Sequence, residues 1–376
     1  MNVSKVLTFK QTLNLIKSVG HERTVIVEGE HGSAKTSLYY AMCADPHYAD
    51  YIKSGVIDCA QLSDGSLWMY DIDREKGVSR ELPNERFGIT RSNQKGVNGA
   101  RPVMLFFDEI AKSATWVKNM IAPPLYERRM GTFFFPEGSI VFGATNLAIE
   151  GLGDSMAPHL RDRIICITMR KPTQLEWKND FALPRGLNAT VIAFTSEYPM
   201  VFDSFLDYEE GGKYHGKKLD ADNGMIFNPR KIQGKWATPR SLHAASDIVD
   251  KYEKGLIDDQ TLEVALDGTI GEVARANLAA YVRFGKELTP LDRILSDPDK
   301  APMSDNPTAQ LIQVFKFVTQ CQDRDMAQAM TTYVLRMRGE MQCLFANEVS
   351  GSSKLVYFMG IAAFTGLLSA HASKFQ

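Results

Sequence analysis

The chain has 376 residues, 44% of them hydrophobic, with a formal net charge of −2 and five cysteines. That length admits two or three domains with a sizeable core, and the near-neutral charge excludes a global basic field of the kind that drives non-specific nucleic-acid binding. Cys43, Cys59, Cys166, Cys321 and Cys343 are scattered without a C-x-x-C or Cys/His pairing, which argues against a zinc site or disulfide scaffold and suits a reducing compartment. Met1 to Thr8 holds neither a charged region nor the start of a long apolar core, so export is not expected and the expected location is the cytoplasm.

Phe9 to Val19 carries Leu13 and Ile16 at helical spacing. Thr24 to Ser37, TVIVEGEHGSAKTS, then runs from a β-branched apolar strand through a glycine-bearing loop into Lys-Thr at the head of a helix. This order predicts a phosphate-binding loop, because backbone N–H groups at a helix N-terminus bring partial positive charge to nucleotide phosphates. Gly29, Glu30, His31, Gly32, Ser33, Ala34, Lys35, Thr36 and Ser37 would form the cradle. Lys35 would reach the β/γ-phosphates, and the Thr36 hydroxyl would supply one ligand to Mg²⁺. Ala34 stands where the usual pattern has glycine, so the loop must tolerate a β-carbon beside the phosphates.

Val56 to Ala60 reads as the second strand, followed by a long polar insertion, 61–100, holding Trp68, Tyr70 and Phe87. On the residues alone, these aromatics could simply pack the base of a hairpin. VMLFF, Val103 to Phe107, is a buried-strand pattern ending in Asp108-Glu109. Asp108 would hold Mg²⁺ through water, and Glu109 would orient and activate the water that attacks the γ-phosphorus. SIVFGATN, Ser139 to Asn146, is a second such strand, and Asn146 at its end could hydrogen-bond the attacking water or the γ-phosphate. HLRDRI puts Arg161 and Arg163 just before an apolar run, where a neighbouring subunit's site could receive a guanidinium. Either Arg161 or Arg163 could be that residue.

Beyond Ile167 the pattern turns helical. Pro172-Thr173 with Glu176 reads as a capping box launching TQLEWKNDFA, and Asn188 to Thr195 continues helical. A Gly/Lys-rich insertion, 207–235, follows; its basic cluster at Lys213, Lys217 and Lys218 is read first as a solvated loop. DADNG, Asp220 to Gly224, has Lys231 where a calcium loop needs Glu, and reads as a turn. WATPRSL makes Thr238 an N-cap, Pro239 a first-turn residue and Arg240 an outward-pointing cation. Arg240 to Tyr252 is amphipathic until Gly255, and more helices follow from Leu262, interrupted by a linker, Ser296 to Pro307. Val356 to Ala372 is apolar, yet falls short of the ~20 residues a bilayer span requires and contains Gly360, Thr365, Ser369 and His371. A buried helix or subunit interface is expected there, not a membrane span.

In this order and spacing the motifs resemble those of the AAA+ ATPases, and specifically the MoxR-like branch. The likeness covers Glu28 to Ile167 and extends to Arg240; LYERRMGTFFFPEGSIVFGATN resembles that branch's helix end and β-hairpin before the sensor strand. At the finger position Arg161-Asp162-Arg163-Ile164 departs from the branch's usual Leu-Asp-Arg-Phe, and the resemblance favours Arg163, with Arg161 the alternative. It also implies that an insertion such as 61–100 faces the pore or axial surface of a ring, where Trp68-Met69-Tyr70 could grip a polypeptide. The resemblance implies an α/β fold: a P-loop αβα sandwich with a parallel sheet, then an α-helical lid and a helical C-terminal region. The expected domains are a nucleotide-binding core at 1–171, a lid at 172–260 and a helical region at 261–376. The implied cofactors are ATP and Mg²⁺, with Arg240 as a second sensor of nucleotide. A ring is also implied, expected as a hexamer with ATP between subunits, remodelling a partner protein that in this branch often carries a von Willebrand factor A domain. Alternatives are an ATP-dependent nucleic-acid motor or loader, nucleic acid being the less favoured partner, and an ATP-gated structural assembly.

Overall fold

The computed structural model describes residues 6–63, 65–87, 101–147, 162–209, 212–219, 223–230 and 234–371. The chain divides into two compact units, Met1–Lys171 and Pro172–Gln376.

In the first unit ten strands are described: β1 (Val6–Leu7), β2 (Val25–Gly29), β3 (Ile52–Asp58), β4 (Trp68–Asp73), β5 (Val78–Pro83), β6 (Val103–Asp108), β7 (Arg129–Met130), β8 (Phe133–Phe134), β9 (Ile140–Asn146) and β10 (Ile165–Met169). Six make one sheet in the order β1-β10-β2-β9-β6-β3, with every neighbouring pair parallel. Side chains alternate between faces with period two, and both faces are buried, which explains the unbroken apolar runs. On β6, Met104 and Phe106 join Val25, Val27, Phe142 and Ala144 in one core layer. Leu105 and Phe107 point the other way and pack with Ile26, Val141 and Ile121.

Helices α1 (Phe9–Val19) and α2 (Lys35–Ala44) cover the first layer through Ile16, Leu38 and Met42. Helix α3 (Thr115–Tyr126) covers the second through Val117, Ile121 and Leu125. Thr8 caps α1 in a full capping box with Gln11, satisfying donors that a helix start would otherwise leave bare.

The second strand begins earlier than Val56 and ends at Asp58, with its register against β6 shifting between Lys53 and Val56. Within the polar insertion, β4 and β5 pair as an antiparallel hairpin. Trp68 and Leu82 pack on the core, as the hairpin reading expects of the tryptophan, whereas Met69 and Tyr70 are exposed.

The second unit is helical. Thr173 caps α4 (Gln174–Trp177) with Glu176 as its capping-box partner, and the chain then widens into a π turn at Lys178–Ala182. One core cluster gathers α5 (Ala189–Glu197), α6 (Pro239–Glu253), α7 (Asp259–Ile270) and α8 (Glu272–Gly285). After α9 (Leu291–Ser296), helix α10 (Pro307–Gln320) turns Leu311, Ile312 and Phe315 toward that cluster. Its Val314, Phe317 and Val318 face a second cluster, built with α11 (Arg324–Val334) and α12 (Gly339–Ser350).

The apolar C-terminal stretch forms two helices, α13 (Leu355–Phe358) and α14 (Ala362–His371), because Gly360 lies between them in the left-handed region at φ 77°. Phe358, Ile361, Phe364 and Leu367 are buried while Val356 and Met359 are exposed, so the segment is amphipathic instead of buried all round. Among the described residues no helix is long and apolar enough to cross a membrane.

Candidate active site

Because the six strands run the same way, their C-terminal ends share one edge of the sheet. The loop Gly29–Ala34 leaves β2 there, Asp108 ends β6 with Glu109 next, and Asn146 ends β9. The strand order is what composes the site: β9 lies between β2 and β6, so Asn146 stands between the loop lysine and the acidic pair.

The loop backbone is set by Gly32 at φ 71° and by Ala34 at φ 70°, ψ 25°, where Ala34 is the N-cap of α2. For alanine a left-handed conformation costs about 1–2 kcal/mol, so the demand of this position is on dihedral as well as space. Gly29 is confined by space alone: a β-carbon would sit 2.8 Å from the Met169 carbonyl oxygen. Glu30 is buried and pairs with Lys171, also buried, at 2.9 Å, which ties the loop to the residue two beyond the end of β10.

Lys35 is buried at the head of α2. Its Nζ donates to the carbonyls of Gly29 at 2.7 Å and Glu30 at 2.9 Å and to Asn146 Oδ1 at 2.9 Å. The Asn146 amide in turn donates from Nδ2 to Glu109 Oε2 at 2.7 Å. Thr36 Oγ1 donates to Asp108 Oδ2 at 2.7 Å, and the Glu109 N–H donates to Asp108 Oδ1 at 2.9 Å. Burial pushes the Asp108 carboxyl above the ordinary carboxylate range, opposed by the Thr36 and Glu109 donors. Burial, followed by the Lys35 and Lys112 cations, holds the His31 imidazole below its ordinary value, so it is neutral at pH 7.

Glu109 itself adopts φ 54°, ψ 37°, a left-handed conformation costing of order 1–3 kcal/mol in a non-glycine residue. The strain is held by the turn that follows. Ile110 is fully buried, the Ala111 N–H donates to Thr145 Oγ1 at 3.1 Å, and Ser113 Oγ donates to the Ile110 carbonyl at 2.7 Å.

The donor chemistry fits a magnesium nucleotide. Thr36 hydroxyl and Asp108 carboxylate are hard oxygen ligands side by side, the set Mg²⁺ takes together with phosphates and water. Ser33 Oγ, next to Gly29, is buried with no hydrogen-bond partner, a donor suited to a phosphate oxygen.

Arg163 is exposed, with its guanidinium 5.4 Å from the centroid of the Tyr126 ring. It precedes β10 and therefore belongs to the edge of the sheet opposite the loop, Asp108, Glu109 and Asn146. Arg161 lies outside the described residues. Arg240 belongs to the second unit, exposed on the first turn of α6, whose Thr238 cap forms a capping box with Ser241.

Three contributors were not singled out in the sequence. Lys112 places Nζ 3.0 Å from Glu109 Oε1, a pairing foreshadowed by the i, i+3 acidic–basic spacing in DEIAK. Thr145 is adjacent to Asn146 and locks the turn after Glu109. Lys171 pairs with Glu30 from 141 residues away, and nothing in the sequence signals it.

No family model matches the chain, and no curated protein matches it. Among solved structures it is similar to NtrX from Brucella abortus, at 14% identity over 98% of this chain and 69% of that one, with a TM-score of 0.31. It is also similar to the Hsp104–ADP complex of S. cerevisiae, at 13% identity and a TM-score of 0.32, over 97% of this chain and 48% of that one. At these TM-scores neither likeness carries functional weight, and the reading of the site rests on its own geometry.

Proposed function

We propose that this chain is an ATP-hydrolysing AAA+ ATPase of the MoxR-like type. The observation that carries the reading is the chain of hydrogen bonds from Lys35 through Asn146 to Glu109, which sets a phosphate-binding cation and a carboxylate base on the two sides of one amide. In this reading the loop N–H groups, Ser33 and Lys35 bind the phosphates, and Thr36 and Asp108 hold Mg²⁺, which when bound neutralises charge on the β- and γ-phosphates. Asn146 keeps its amide donor on Glu109 and turns Oδ1 from Lys35 to the attacking water, while Lys35 turns to the phosphates. Glu109 takes the proton as the water oxygen bonds to the γ-phosphorus and ADP departs.

The larger assembly belongs to the same proposal. Arg163 lies at the far edge of its own sheet, which supports action on a neighbour's nucleotide and hence a ring, with six subunits the expected number. The helices of 172–260 act as the lid and bring Arg240 to the nucleotide, the region 261–376 follows it, and the work is remodelling of a cytoplasmic protein partner, with a von Willebrand factor A domain the first to try. The test is ATP turnover by the purified full chain. Lys35→Ala is expected to abolish productive ATP binding, and Glu109→Gln to bind ATP while hydrolysing it very slowly. Normal turnover in both variants would reject the reading.

A further inference from the structure

The Glu109 carboxylate is gripped at both oxygens. Asn146 Nδ2 holds Oε2 at 2.7 Å, and Lys112 Nζ holds Oε1 at 3.0 Å. Asn146 reaches the phosphate cradle as well, through Lys35; Lys112 has a different place. It ends the one-turn 3₁₀ segment Ile110–Lys112 that Glu109 itself initiates, so lysine and carboxylate are two ends of a single small device.

The device is rigid at its base. The Lys112 N–H donates to the Glu109 carbonyl at 3.1 Å, the Ala111 N–H to Thr145 Oγ1 at 3.1 Å, and Ile110 is fully buried against the core. A carboxylate has about four lone-pair sites. One amide donor on Oε2 and one cation beside Oε1 therefore restrain its plane while leaving lone pairs for a water. Without Lys112 the carboxylate would keep one tether, Asn146, and could rotate about it.

We propose that Lys112 is a positioning residue that orients the Glu109 carboxylate toward the attacking water, acting only through Glu109 and not through nucleotide binding. The inference rests on the ATPase reading above. Misplacement of a reacting group by about 1 Å can cost 10²-fold in rate, and Lys112, being partly exposed, is one of two tethers. The expected loss on its removal is therefore on the order of 10- to 100-fold in kcat.

The experiment uses the full chain and four variants: Lys112→Met, Lys112→Arg, Glu109→Gln and the double variant Lys112→Met/Glu109→Gln. ATP turnover is measured in parallel with equilibrium binding of a fluorescent ATP analogue. Lys112→Met is expected to lower kcat while leaving KM and analogue affinity within about twofold, and Lys112→Arg, which keeps the cation, is expected to recover most of the rate. In the Glu109→Gln background the same methionine substitution should cost nothing further, because residues that act through one another are non-additive.

Three results would overturn the proposal. They are an unchanged kcat in Lys112→Met, a loss of analogue affinity parallel to the loss of rate, and a full additional loss on top of Glu109→Gln. The reading beneath it fails differently: if Glu109→Gln itself turns over ATP like the parent, Glu109 is not the base, and the role of Lys112 falls with it.

Discussion

Asn146 donates to the Glu109 carboxylate at 2.7 Å while accepting from Lys35 at 2.9 Å, so one amide joins a cation and a carboxylate. An amide does both at once through separate atoms, since it carries a donor and an acceptor on the same carbon. Asn146→Asp keeps the size, places a second acceptor against Glu109, and strengthens the hold on Lys35. The expected result is retained nucleotide binding with a turnover lower by about 10²–10³, the range for deleting one preorganised donor. Steady-state kinetics with a parallel binding measurement checks it, and turnover within a few-fold of the parent would remove Asn146 from the reaction.

Gly143 explains why the middle strand of the site is SIVFGATN and not an unbroken β-branched run. A β-carbon there would lie 2.6 Å from Ile110 Cδ1 and 2.9 Å from the Phe107 carbonyl oxygen. The isoleucine can yield by changing rotamer, but the β6 backbone cannot. Gly143→Ala is therefore expected to destabilise the first unit by about 1–3 kcal/mol, as overpacked cores do. It should also displace the turn after Glu109, so thermal unfolding and turnover should fall together. Stability equal to the parent would mean the sheet absorbs the methyl elsewhere.

Much of the candidate site was legible because its residues are local in sequence: Gly29 to Ser37, Asp108-Glu109 and Asn146 each end or follow an unbroken apolar run, and the sheet buries those runs on both faces. The hydrogen bonds between those segments were not legible, because they depend on the order of strands. Nothing in the residues says that β9 inserts between β2 and β6. The capping box at Thr173, the N-cap at Thr238 and the helix Phe9–Val19 were readable for the same local reason. The break at Gly360 was harder, since apolar periodicity runs across it and only the left-handed φ of the glycine divides the helices.

In the second unit, Lys178 and Glu348 form a buried ion pair beneath the Phe315 ring, whose centroid lies 5.7 Å from Lys178 Nζ. Removing one partner strands the other charge in a dry core. Glu348→Ala is expected to cost about 3–5 kcal/mol, whereas Lys178→Met/Glu348→Leu together should be near neutral or stabilising by about 1–4 kcal/mol. Denaturant unfolding of the full chain, followed by tryptophan fluorescence with Trp68 and Trp116 replaced by Phe, reads that unit through Trp177 and Trp236. Equal losses in the single and double variants would show that shape, and not uncompensated charge, dominates there.

The position of Arg163 makes the sharpest demand on the assembly. It precedes β10, while the phosphate loop follows β2, the parallel neighbour of β10 in the sheet. Five strand residues at about 3.3 Å each separate the two edges by about 16 Å, farther than an arginine side chain extends. If Arg163 takes part in hydrolysis, it does so on another subunit. Arg163→Ala is then expected to fold and bind ATP, yet lose hydrolysis by about 10³ or more where chemistry limits turnover, the range known for arginines supplied in trans. Lys35→Ala subunits are inactive for the opposite reason, having an intact Arg163 and a defective loop. Mixed oligomers of the two contain interfaces that pair a sound loop with a sound Arg163, so mixing should restore part of the ATPase activity. Capture through an affinity tag carried by only one of the two variants establishes whether mixed oligomers form. If they form and remain inactive, or if Arg163→Ala alone is fully active, the trans role does not belong to Arg163, and Arg161 becomes the residue to substitute and mix in the same way.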